Sequence, residues 1–108
     1  MNLGKLLQEF LDAAVEIGGD TWTKIEKSTP LYAKGYLRSL ADIAAGVVDG
    51  EIDAADAEMY SSNARLLLIQ GIANTAHVVL VQVQAFIDRV LDAVRSAIND
   101  ALPIPVLD

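Results

Sequence analysis

The chain carries one histidine, no cysteine, and fifteen carboxylates against eight basic side chains. Those types decide which chemistry can be assembled. Without a thiol there is no cysteine nucleophile, disulfide, iron–sulfur cluster or thiolate zinc site. The single imidazole, His77, falls at helical spacing from Gln70 and Asn74, with Gln84 two turns further on. Two roles suit it: a proton relay or shared ligand at an oligomer axis, or one member of a polar stripe that faces water or makes inter-helix hydrogen bonds. No carboxylate or second histidine stands three or four residues to either side. General acid–base catalysis needs a partnered group, so the polar stripe is the expectation.

Two acidic patterns come near metal motifs and miss. Asp49-Gly50-Glu51-Ile52-Asp53-Ala54-Ala55-Asp56 has the glycine, the apolar residue and the terminal acid of a calcium loop's second half. The first and third ligand positions would be Ala45 and Val47, which cannot coordinate a cation. A turn and then a capped helix are expected there. Di-iron bundles require Glu-x-x-His pairs, whereas Glu51 is followed three residues later by Ala54 and Glu58 by Ser61. No glycine-rich phosphate loop, nucleophile elbow or His-Glu-x-x-His motif occurs. The expectation is therefore a protein that is not an enzyme, with no catalytic residues, no cofactor and no metal. The net charge of −7 also disfavours nucleic acid, because neutralising phosphates drives non-specific affinity.

What remains is a chain built to form helices. Its 108 residues, 53% hydrophobic and 21% charged, make one globular domain rather than a disordered segment. Leu3, Leu7, Phe10, Ala14 and Ile17 recur at 4-3-4-3 spacing, with Asn2 as N-cap and Gly18-Gly19 as the stop. Their polar face bears Gln8, Glu9, Asp12 and Glu16. Asp20 opens a short helix with Trp22 and Ile25. Ser28-Thr29-Pro30 is a boundary, a capping hydroxyl and then proline in the first turn, and Tyr36, Leu37, Leu40, Ile43, Ala44, Val47 and Val48 mark a third helix. Asp49-Gly50 turns the chain, and Asp53 is placed to cap the next helix. The helices expected are about 3–18, 21–27, 30–48 and 53–101, in a single all-α domain spanning 1–101: a bundle or hairpin dominated by its last helix.

That last segment is the most informative. Leu66, Ile69, Ala73, Ala76, Leu80, Val83, Ile87 and Val90 continue a 3-4 spacing that runs on through Val94 and Ala97. This is a heptad seam, and those first eight residues are the candidate association surface of a homo-oligomer. An unbroken helix of 45 residues would be about 68 Å long, against a radius of gyration of about 13 Å for a compact chain of 100 residues. Either the helix breaks, at 61–63 or at Gly71, or other subunits cover it. Charge is segregated as well: Lys24, Lys27, Lys34 and Arg38 precede a run of Asp49, Glu51, Asp53, Asp56 and Glu58. Such patches can steer subunits together and hold register.

Between Arg65 and Asp88 lie 22 residues without a formal charge, enough to cross a bilayer. Six of them are polar, and four of those, Gln70, Asn74, His77 and Gln84, share a face, so a pore-lining oligomer inserted through 66–87 is the first alternative. A carrier of an apolar ligand is the second. The tail, 102–108, is apolar and cannot continue a helix through Pro103 and Pro105. Pro103, Ile104, Pro105, Val106 and Leu107 would either dock in a partner's groove or fold back over the bundle. Glu9, Asp12 and Glu16 interrupt any signal-peptide core near the start, and a cytoplasmic location is expected. The leading expectation is a non-enzymatic structural or adaptor protein acting through helix-mediated self-assembly or partner binding.

Overall fold

The computed structural model describes residues 2–107. Among them five helices and no strand are found: α1 (Leu3–Ile17), α2 (Gly19–Ile25), α3 (Thr29–Val48), α4 (Ala54–Ala76) and α5 (Leu80–Ala101). The four long helices pack in a ring, α1 against α3, α3 against α4, α4 against α5, and α5 back against α1. The short α2 lies against α4 and α5, where Trp22 stacks on Phe86 with ring centroids 5.9 Å apart.

Local chemistry sets most of the boundaries. The Asn2 side chain accepts from the Lys5 amide at 3.0 Å, satisfying one of the free donors of the first turn. Gly18 and Gly19 both take positive φ, a corner that side-chain-bearing residues rarely make, and Gly18 donates back to the Ala14 carbonyl. Proline stands in the first turn of α3, as its spacing predicts. The cap there differs from expectation. Ser28 makes no side-chain cap bond, and instead the buried Thr29 hydroxyl donates to the Ile25 carbonyl at 2.8 Å, fastening α3 to the end of α2. Asp53 holds the N-cap position of α4 with extended backbone but no side-chain bond.

The long C-terminal helix expected from the spacing is two helices. α4 ends at Ala76 because His77 adopts left-handed backbone, φ 57° and ψ 41°. The Val78 amide then donates to the Ala73 carbonyl at 3.1 Å, the six-to-one bond of a Schellman motif. Three residues, 77–79, reverse the chain, so the molecule is 42 Å in its longest dimension. Neither expected break is used. Ser61 to Asn63 lie within α4, and Gly71 serves close packing: a Cβ there would run into the Tyr32 ring. The Tyr32 hydroxyl meets that of Thr75 at 2.7 Å beside it.

The left-handed residue makes a direct prediction. His77→Gly should raise stability by up to about 1 kcal/mol in chemical denaturation, since glycine meets no Cβ penalty at positive φ. A loss of stability would show that the imidazole itself holds the turn.

The apolar stripes meet inside the ring. Leu6, Phe10, Leu37, Leu40, Ile72, Val83, Ile87, Val90 and Ile98 are buried in one continuous core. Each such side chain contributes roughly 1.5–3 kcal/mol by leaving water.

Candidate functional site

The fold divides the candidate association seam between α4 and α5 and turns most of it inward. Ile69, Ala73, Val83, Ile87 and Val90 are buried in the chain's own core, and Ala76 packs partly against it. Only Leu66 and Leu80 reach the surface, 48% and 42% exposed. A surface that already covers itself is not free for a second chain. The single inserted helix expected over 66–87 is interrupted by the same turn. Residues 66–87 do not form one helix, and among the described residues no helix is long and apolar enough to cross a membrane.

The tail is also spoken for. Its backbone amides at Val106 and Leu107 donate to the Asn99 side-chain oxygen at 3.1 and 3.0 Å, and the Asn99 side-chain nitrogen donates to the Leu107 carbonyl at 2.7 Å. Ile104, Val106 and Leu107 pack against the core while Pro103 and Pro105 remain exposed. Of the two roles considered for 102–108, the described residues adopt the folded-back one. His77 stands exposed at the turn beside Lys24, Val79 and Gln82. Among the described residues no group of three or more histidine and acidic side chains is placed to hold a metal ion.

Two features of the surface were not singled out by the spacing of the sequence. The first is an apolar face over α3 and α4. Leu31, 74% exposed, and Leu67, 67% exposed, flank a groove of about 510 Å³ whose floor includes Tyr32, Gly35, Ala64 and Gly71. It continues into a second hollow of about 410 Å³ lined by Ile43, Ile52, Tyr60 and Asn63, with Ser39, Ala64 and Leu67 common to both. Met59 and Leu66 extend the apolar surface over the outside of α4. The only charge on α4 beyond Glu58 is Arg65, which turns toward α5 to pair with Asp88. Gly35 leaves open space in that floor, whereas Gly71 is already covered by the Tyr32 ring. The solvent side of α4 thus exposes Met59, Tyr60, Leu66 and Leu67 among the uncharged polar residues Ser62, Asn63, Gln70 and Asn74, which marks a candidate interaction face.

The second feature is a chamber of about 90 Å³ where α3, α4, α5 and the tail converge. Tyr36 and Ser61, 3% and 6% exposed, line it, and neither hydroxyl has a hydrogen-bond partner among the described residues. Arg65 and Arg95 stand at its edge. Each is already in an ion pair: Arg65 donates through Nε and Nη2 to one oxygen of Asp88, at 3.1 and 2.5 Å, and Arg95 donates through Nη2 to Asp92 at 2.5 Å. Burial pushes the Tyr36 phenol up to about 12, opposed by the nearby Arg65 charge. Unfolding returns that phenol to its ordinary value near 10, so the stability it contributes is complete below pH 10 and is lost as pH rises towards 12.

Unpaired buried hydroxyls cost free energy, about 1–3 kcal/mol each where no water reaches them. Tyr36→Phe and Ser61→Ala keep the packing nearly unchanged. Each variant should be at least as stable as the parent at pH 7, by up to about 1 kcal/mol in urea unfolding. Tyr36→Phe should also lose the alkaline decline between pH 10 and 12. A destabilisation greater than that would mean that the hydroxyls are bonded after all.

No protein family, curated protein or solved structure matches this chain. Its function is therefore read from these surfaces alone.

Proposed function

We propose that this is a non-enzymatic assembly protein whose working surface is the α3–α4 face, and that its occupant is a second copy of the chain. The observation that carries the proposal is the largely apolar surface running from Met59 and Tyr60 to Leu67 on α4, with Leu31 opposite it on α3 and the carboxylate of Asp42 lining its second hollow. Burial of such a face is worth about 25 cal/mol per Å², and helix-on-helix packing uses this kind of shallow groove.

Charge selects the occupant. The basic residues Lys24, Lys27 and Lys34 are exposed towards the N-terminal end of α3, with Glu26 among them and Arg38 at the middle of the helix, and the acidic residues Asp49, Glu51, Asp53, Asp56 and Glu58 are exposed around its other end. The helix between them is about 30 Å long. Two copies laid face to face in parallel would oppose like charges at both ends. Laid antiparallel about a two-fold axis near Ser39, they bring each basic end against the partner's acidic end, twice by symmetry. Arg38 and Asp42, one turn apart on the rim, exchange partners under the same axis. The groove is open along its length, which suits a helix better than an enclosed lipid. The carrier alternative is thereby less favoured.

Light scattering coupled to size-exclusion chromatography tests this on the intact chain. The expected result is a particle of about twice 11.6 kDa at low salt. Its population should fall at about 0.5–1 M salt, where the Debye length shrinks to a few ångströms. A monomer at every salt and at concentrations up to about 1 mM would overturn the proposal.

A further inference from the structure

The segment after α5 is held by very little. Pro103 and Pro105 have no N–H, so they cannot donate to the bundle. Among the described residues, every hydrogen bond that holds 103–107 is made by one side chain. Asn99 accepts from the Val106 and Leu107 amides through Oδ1 and donates to the Leu107 carbonyl through Nδ2. Ile104, Val106 and Leu107 stay partly exposed where they sit, so lifting them wets less new surface than freeing a core residue. Leu102 is the fixed point before them. It is 8% exposed, its backbone is extended, and its amide donates to the Asn99 carbonyl at 3.3 Å.

What lies under the segment also favours release. Val106 and Leu107 form one wall of the chamber of about 90 Å³. Inside it the hydroxyls of Tyr36 and Ser61 are buried without a partner among the described residues. A packed apolar floor resists lifting, because opening wets it. An unpaired buried hydroxyl acts the other way, since it gives up a hydrogen bond on closing and regains one from water on opening. The ion pairs nearby, Arg65 with Asp88 and Arg95 with Asp92, involve no residue of the segment. Neither has to break when it lifts.

We infer that residues 103–107 are a releasable strap, latched by Asn99 and sprung by the two hydroxyls it covers, which opens while the five helices stay folded. Opening swings out Ile104, Pro105, Val106 and Leu107 together as an extended apolar peptide, the kind of segment that partner grooves take up. The closed strap withholds it. Elements that switch in this way are drawn from the least stable parts of a fold, and one side chain holding a whole segment is such a part.

Native-state hydrogen exchange of the full chain, followed by NMR, tests this, because the Val106 and Leu107 amides are free only when the latch is open. Relative to the intrinsic rate of each, they should exchange at least about a hundredfold faster than the amide of the core residue Val90, and low urea should not change their rates. Two variants should move the opening in opposite directions. Asn99→Ala removes the latch and should speed exchange at both amides by about tenfold or more, with the helical circular dichroism unchanged. Ser61→Ala removes one of the springs and should slow it by about two- to fivefold. Ser61 lines the chamber and not the α3–α4 groove, whereas Tyr36 lines both, so Ser61→Ala reads the strap separately from association through that face. Val106 and Leu107 amides that exchange only together with Val90 would overturn the inference. So would amides that exchange at their intrinsic rates in the parent, which would mean that no latch exists. Exchange that is unchanged or faster in Ser61→Ala would overturn it as well, since the chamber would then not drive the opening.

Discussion

Val83→Asp should abolish the folded state, while Leu80→Asp, one turn earlier, should leave it intact. Val83 is fully buried in a core to which all five helices contribute. An aspartate there has no partner, and a buried unpaired carboxylate costs more than the 4–5 kcal/mol that separates severe from ordinary substitutions. Set against a total stability of about 5–15 kcal/mol for a domain, that is most of what the chain has. Leu80 is the first residue of α5 and 42% exposed. A carboxylate in the first turn of a helix is favoured by the free amides and the helix dipole, by about 0.3–1 kcal/mol. Circular dichroism and urea unfolding of the two single variants would decide the matter. One long helix with an intermolecular seam would place both residues at equivalent positions and make both variants dissociate or unfold alike. Different fates for the two are expected only if the chain turns at 77–79.

The turn escaped the spacing of the sequence for a physical reason. Ala76 and Leu80 are four residues apart, the interval an uninterrupted heptad seam would also show. The three turn residues fill that interval without disturbing the phase, and α4 and α5 each present the same apolar phase to one core. Nothing at His77-Val78-Val79 announces a break, because glycine and proline are absent and histidine is only an occasional left-handed residue. The Gly18-Gly19 corner, the Asn2 cap and the Pro30 boundary were legible because their chemistry is local. Gly71 misled because its role is set at long range by Tyr32, and Ser61 misled because its hydroxyl faces a chamber that exists only once α3, α5 and the tail are assembled. The outer face of α4 was hidden for a related cause: a helix apolar on two sides reads as one broad stripe, and only the fold shows which side is left uncovered.

Leu31→Asp combined with Leu67→Asp should convert the proposed dimer to monomer without cost to the fold. Both side chains are largely exposed, and surface substitutions away from special backbone sites usually change stability by no more than about 0.5 kcal/mol. At an interface the same changes are severe. Two-fold symmetry places each substitution twice in one contact, and an apolar anchor near its centre is worth about 2 kcal/mol or more. Four buried carboxylates would then weaken the dimer by about a thousandfold or more, at least about 4 kcal/mol. The measured mass should fall to 11.6 kDa while the urea midpoint, read at a concentration where the parent is monomeric, stays within error. Arg38→Glu should act differently. It removes a steering charge at the rim, so it should weaken association at low salt and become indistinguishable from the parent near 1 M, where such contacts are screened. A double variant that still runs at twice the monomer mass would exclude the α3–α4 face. The exposed apolar residues at the other end of the bundle, Val79, Leu80 and Val81, would then become the surface to test.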